Sequence, residues 1–132
     1  MKLIATPEEI TAELLKMQEF LEVEISEETA EAVYRGNMLE VFIARSGKLL
    51  ADAKYHFNKA KQNKLIANVK EVLKFTPSVA NEFAKSLTAD EERLFLWAEQ
   101  INKTCKYQSD WCRTLISKGK EEMRFSHFSN QA

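Results

Sequence analysis

The chain has 132 residues, 45% hydrophobic and 30% charged, with 19 basic against 20 acidic side chains and a formal net charge of −1. That length fits one domain, and three Gly and two Pro exclude collagen-like, linker-like and turn-rich all-β chains. No run approaches the ~18 apolar residues of a membrane span, and the opening MKLIATPEEI turns acidic at once, so a soluble, cytoplasmic, helical domain with no membrane partner is expected.

The first helix falls within residues 1–22. Thr6 caps it, Pro7 suits the first helical position, and Glu9 completes a capping-box spacing with Thr6. Ile10, Leu14, Met17 and Leu21 recur at helical intervals and need a partner. Ser26 is expected to open a long second helix over 26–75, with Glu27, Glu28 and Glu31 near its positive end. Its apolar positions include Ala30, Val33, Met38, Val41, Phe42, Leu49, Ala53, Phe57 and Ala60. Gly36, Gly47 and the pair Gln62-Asn63 are the places where it would break, and a helical glycine can also admit a close neighbour.

Thr76-Pro77 stops the pattern and restarts it as a short helix over 77–86, with Val79 and Phe83 inward. Thr88 and Glu91 repeat the capping-box spacing ahead of a long last helix over 89–125. Leu94, Trp97, Ala98, Ile101, Cys105, Trp111, Cys112, Leu115 and Ile116 are assigned to its inner face, and residues 126–132 read as a mobile tail.

These elements predict an all-α fold: two long antiparallel helices, a short connecting helix and the acidic N-terminal helix packed alongside. A two-helix hairpin buries one side of each helix, so the leftover positions Phe20, Ile43, Phe95 and Tyr107 suggest a further surface and a homo-oligomer. Cys105 and Cys112 lie seven residues apart on one helical pattern, roughly 10 Å between Cα atoms, too far for a disulfide within one helix. They read as small core residues, with an intermolecular bridge or a metal site as the alternatives. His56 and His127 show no ligand spacing with them, and no metal or cofactor is expected.

The net charge conceals a segregation. Residues 1–44 hold 3 basic and 10 acidic groups, whereas residues 45–75 hold 8 basic and 2 acidic. Residues 76–99 are net −3 and residues 100–132 net +3. Arg45, Lys48, Lys54, Lys59, Lys61 and Lys64 interleave with Tyr55, His56 and Phe57. Lysines release counterions from phosphates and aromatics stack on unpaired bases, a mixture suited to single-stranded nucleic acid. The competing reading is a solvated basic face pairing with the acidic N-terminal segment of this or a neighbouring subunit, with Tyr55 and Phe57 in the core. Lys118, Lys120 and Arg124 form a secondary basic patch that would extend the track. The acidic segment 8–31 would contact a partner protein or shield the basic stretch.

Catalytic signatures are missing from the sequence. It holds no nucleophile elbow, Gly-rich phosphate loop, HExxH or CxxC, and the adjacent pairs Asp110-Trp111 and Ser126-His127 lack a third group, so no enzyme is expected.

RSGKLLADAKYHFNKAK (Arg45 to Lys61) and DWCRTLISKGKEEMR (Asp110 to Arg124) resemble a group of small helical proteins of tailed phages and prophages, found among recombination and replication genes. The order of features also resembles recombination mediators of the UvsY type, over roughly residues 38–125. The resemblance implies a non-enzymatic accessory in the bacterial host cytoplasm that binds single-stranded DNA, oligomerises and assists a recombination or replication protein. The stretch comparable to the mediators' DNA-contacting motif is AKYHFNKAKQNK, which does not match it residue by residue, so the candidate residues rest on charge and chemistry alone. The alternative function is a helical interaction or assembly module, of the phage morphogenesis chaperone kind, with no nucleic-acid role.

Overall fold

The computed structural model describes residues 3–131, with side chains through residue 128. The described residues form five helices and no strand: α1 (Pro7–Leu21), α2 (Thr29–Ala67), α3 (Val69–Val72), α4 (Pro77–Leu87) and α5 (Ala89–Gln131). At 1.5 Å per residue, the 39 residues of α2 extend about 58 Å and the 43 of α5 about 64 Å. None of these helices is long and apolar enough to cross a membrane.

The two long helices run antiparallel. Gly119 packs at Thr29, Cys112 at Gly36, Asn102 at Ser46 and Phe95 on Phe57, so positions ascend on α2 as they descend on α5. α1 fills one groove of this pair. Its stripe Ile10, Leu14, Met17 and Leu21 is buried against Leu39, Leu49 and Ala53 of α2 and Ala98, Ile101, Cys105 and Cys112 of α5. The expected all-α architecture, with two long helices packed together and α1 alongside, is therefore present.

Polar contacts pin both ends of α1. At its start Thr6 accepts from Glu9 N at 3.2 Å, and Pro7 stands in the first turn. Just before it, Ala5 N donates to Asp52 at 3.0 Å and Ala5 O lies 2.6 Å from His56 Nε2. At its end the carbonyls left over by the helix find donors on both long helices. Arg35 donates to Phe20 O at 3.1 Å, and Gln108 donates to Leu21 O at 3.0 Å while accepting from Arg35 at 2.7 Å. Arg35 also lies 4.6 Å from the centre of the Phe20 ring.

Several local expectations are corrected. α2 starts at Thr29, because the Ser26 hydroxyl accepts from Glu28 N at 3.2 Å in a turn that precedes the helix. It passes through Gly36, Gly47 and Gln62-Asn63 and ends before Asn68, whose side chain and backbone N–H both donate to Lys64 O. Residues 68–75 therefore hold only the single turn α3. Thr88 donates its hydroxyl back to Ala84 O at 2.9 Å, closing α4 instead of capping α5 through Glu91. α5 continues past residue 125, so the expected tail is helical through Gln131, and Ala132 lies outside the described residues.

The burial pattern is corrected too. Val33, Val41, Val79 and Trp111 are exposed, while Ala32, Leu39 and the polar Arg35, Ser46 and Asp52 are buried. Of the leftover positions, Phe20, Ile43 and Phe95 pack against the core, and Tyr107 stays exposed. Both cysteines are free and fully buried, as core residues would be. Burial pushes the Cys105 thiol up to about 11 and raises that of Cys112 as well, so both stay protonated at neutral pH.

Candidate nucleic-acid interface

The composition of α2 changes in its C-terminal half. From Ala53 to Lys70 the chain carries five lysines and no carboxylate. On a helix three of these lysines fall into two neighbouring rows, Lys54, Asn58, Lys61 and Leu65 beside Tyr55, Lys59, Gln62 and Ile66, with Lys64 on the far side of Lys61. Between the rows lies an open groove of about 490 Å³, lined by Tyr55, Asn58, Lys59, Lys61, Gln62 and Leu65.

The candidates differ in their freedom to meet a phosphate. Lys54, Lys59 and Lys64 are exposed and in no ion pair among the described residues. Lys61 is half-buried with its ammonium 4.5 Å over the Phe57 ring, which itself stacks on Phe95 at 6.1 Å. Phe57 is thus enclosed between a cation and a core ring and offers no face to a base. Tyr55 is 44% exposed, with its ring edge-on to His56, and is the aromatic of this stretch that can stack on a ligand.

Arg45 and Lys48 are differently placed. Arg45 makes a two-pronged pair with Glu13 of α1, at 2.8 and 2.6 Å, whose hydrogen bonds raise its pKa further. Lys48 donates to Leu3 O at 2.7 Å and pairs with Asp52. These two cations hold the N-terminal segment onto α2. Glu13 of the acidic segment meets the basic block at Arg45, and the glutamates from Glu19 to Glu31 lie at the far end of the bundle.

Lys118, Lys120 and Arg124 are exposed and in no ion pair among the described residues. They do not extend the α2 track. Antiparallel packing puts them at the end of the bundle where α2 starts, about 35 to 44 Å along α5 from Phe95, which marks the level of Phe57.

A larger cleft, about 900 Å³, went unseen in the sequence because three segments build it. Pro7, Glu8 and Thr11 of α1, His56 of α2, and Asp90, Glu91, Arg93, Leu94, Leu96 and Trp97 of α5 line it. Three carboxylates against one guanidinium repel phosphate, and the His56 Nε2 is engaged with Ala5 O. No three His, Cys, Asp or Glu side chains among the described residues converge on a point that would hold a metal ion.

Comparison with protein-family models, curated proteins and solved structures finds no match to this chain.

Proposed function

We propose that this protein is a non-enzymatic accessory that binds single-stranded DNA along the C-terminal half of α2, in phage or prophage recombination or replication, alongside a partner protein. The carrying observation is the carboxylate-free run from Ala53 to Lys70, in which exposed lysines flank a groove that Tyr55 lines. Lys54, Lys59, Lys61 and Lys64 neutralise phosphates there, and Tyr55 stacks on a base. A single strand fits this surface better than a duplex. Stacking on Tyr55 needs an unpaired base face.

The ion pairs of Arg45 and Lys48 favour the second reading, a helical assembly module with no nucleic-acid role, because those two cations serve the fold. Fluorescence anisotropy with labelled oligonucleotides separates the two. The DNA reading requires binding at low salt that Lys59→Glu with Lys61→Glu abolishes. Indifference to DNA at low salt, or binding untouched by that double reversal, leaves the assembly module.

A further inference from the structure

The outer face of α5 carries a stripe that the fold leaves uncovered. Tyr107, Trp111, Thr114, Lys118, Glu121, Phe125 and Phe128 follow one another at alternating steps of four and three residues, the spacing of a coiled-coil seam over three heptads. All seven are exposed, and the aromatics are far from marginal: Tyr107 is 71% exposed, Trp111 48%, Phe125 77% and Phe128 66%. The inner face of α5 is already occupied by α1 and α2, so this stripe is a second, separate surface.

We infer that the stripe pairs with the same stripe of a second copy, antiparallel, across a two-fold axis between Lys118 and Glu121. The charges select this partner and this direction. In the antiparallel register Lys118 of each copy faces Glu121 of the other, twice per dimer. Trp111 then meets Phe128 of the second copy, and Phe125 meets the smaller Thr114. Each of these pairs matches a first core position of one heptad with the second core position of the other, as antiparallel coiled coils require. A parallel, in-register pair would instead set Lys118 on Lys118 and Glu121 on Glu121, which like-charge repulsion disfavours.

The packing leaves room for this arrangement. α2 begins at Thr29, level with Gly119, and Thr29 shares a pocket with Glu122, Met123, Ser126 and His127 on the side of α5 away from the stripe, which stays uncovered. With the two-fold axis near residue 119.5, each C-terminal end lies along the other copy's α5 and the two bundles sit at opposite ends of the seam. The interface is isologous and closes at two copies.

Sedimentation velocity on the full chain tests this. The expected result is a dimer at micromolar concentration that Trp111→Glu or Phe125→Glu converts to monomer while helicity by circular dichroism is unchanged. Lys118→Glu alone weakens the dimer by at least about tenfold, and Lys118→Glu combined with Glu121→Lys restores it. A chain that stays monomeric to about 100 µM, a dimer indifferent to Phe125→Glu, or a double swap no better than the single change would overturn the inference.

Discussion

Arg35 carries a charge into the bundle and meets no carboxylate among the described residues; it is 8% exposed, and its Nε has no hydrogen-bond partner. What compensates it is the negative end of α1, through Phe20 O, together with the Gln108 side chain and the Phe20 ring. Arg35→Ala removes the donor to Gln108 Oε1, leaves Phe20 O to the Val23 N–H and opens a cavity against the Phe20 ring, and a loss of about 2–4 kcal/mol in urea unfolding is expected. Asp52 does the corresponding work at the other end of α1. Burial raises its pKa, but the Lys48 and Ala5 N–H hydrogen bonds and the charges of Lys48 and Arg45 outweigh burial and hold it below its ordinary 3.8. A carboxyl lowered on folding stabilises the fold above its ordinary value and loses that contribution as pH falls through the folded value. The melting temperature is therefore expected to drop as pH falls from about 5 through the folded value of Asp52 in the wild type, and Asp52→Asn to flatten that part of the drop while melting lower at neutral pH.

At the scale of elements, the three glycines are not equivalent. A Cβ at Gly36 would meet Cys112 Cβ at 3.6 Å and one at Gly47 would meet Asn102 Nδ2 at 3.8 Å, ordinary contacts in both cases. Gly36→Ala and Gly47→Ala are each expected to raise stability by about 0.5–1 kcal/mol through helix propensity. At Gly119 the added atom would collide with the Thr29 hydroxyl and stand 3.2 Å from Thr29 Cβ, so Gly119→Ala should forfeit that gain, as thermal melts of the three variants would show. Only Gly119 is a close-approach glycine. Sequence could identify helical glycines, but only the register of α2 on α5 tells which one faces a neighbour.

The same distinction explains which elements were legible. Thr6-Pro7 and Thr76-Pro77 act within one turn, and both thresholds stand where the sequence put them. Ser26 and Thr88 have the same capping chemistry but bond instead to Glu28 N and Ala84 O, a choice set by where the chain turns. α2 was phased wrongly because it touches two neighbours. Its buried face includes Arg35, Ser46 and Asp52, each satisfied by a group far away in sequence, whereas Val33 and Val41 face outward. Hydrophobicity alone cannot place such a face. Trp111 misled for the complementary reason, as an apolar residue on a stripe that this bundle does not cover.

Across the whole molecule, the net charge of −1 is a cancellation between the acidic block 1–44 and the basic block 45–75. The six glutamates from Glu19 to Glu31 sit where α1 ends and α2 begins, level with Gln108 to Gly119 of α5. The lysines from Lys54 to Lys74 sit at the other end, from the level of Phe95 onward. The charge blocks were readable in sequence, but their separation was not, because it follows from the antiparallel pairing of α2 with α5. That separation confines the proposed DNA surface to α2 and excludes Lys118, Lys120 and Arg124 from it.

The most direct measurement is the salt dependence of binding to a labelled single strand. Four phosphates neutralised by Lys54, Lys59, Lys61 and Lys64 predict a slope of log K against log salt of about −2.8, with each Lys→Gln change in this set reducing it by about 0.7. Replacing Lys118, Lys120 and Arg124 by Gln should leave the slope unchanged. A slope near zero, or one that the α2 lysine changes do not move, would contradict a nucleic-acid surface on α2.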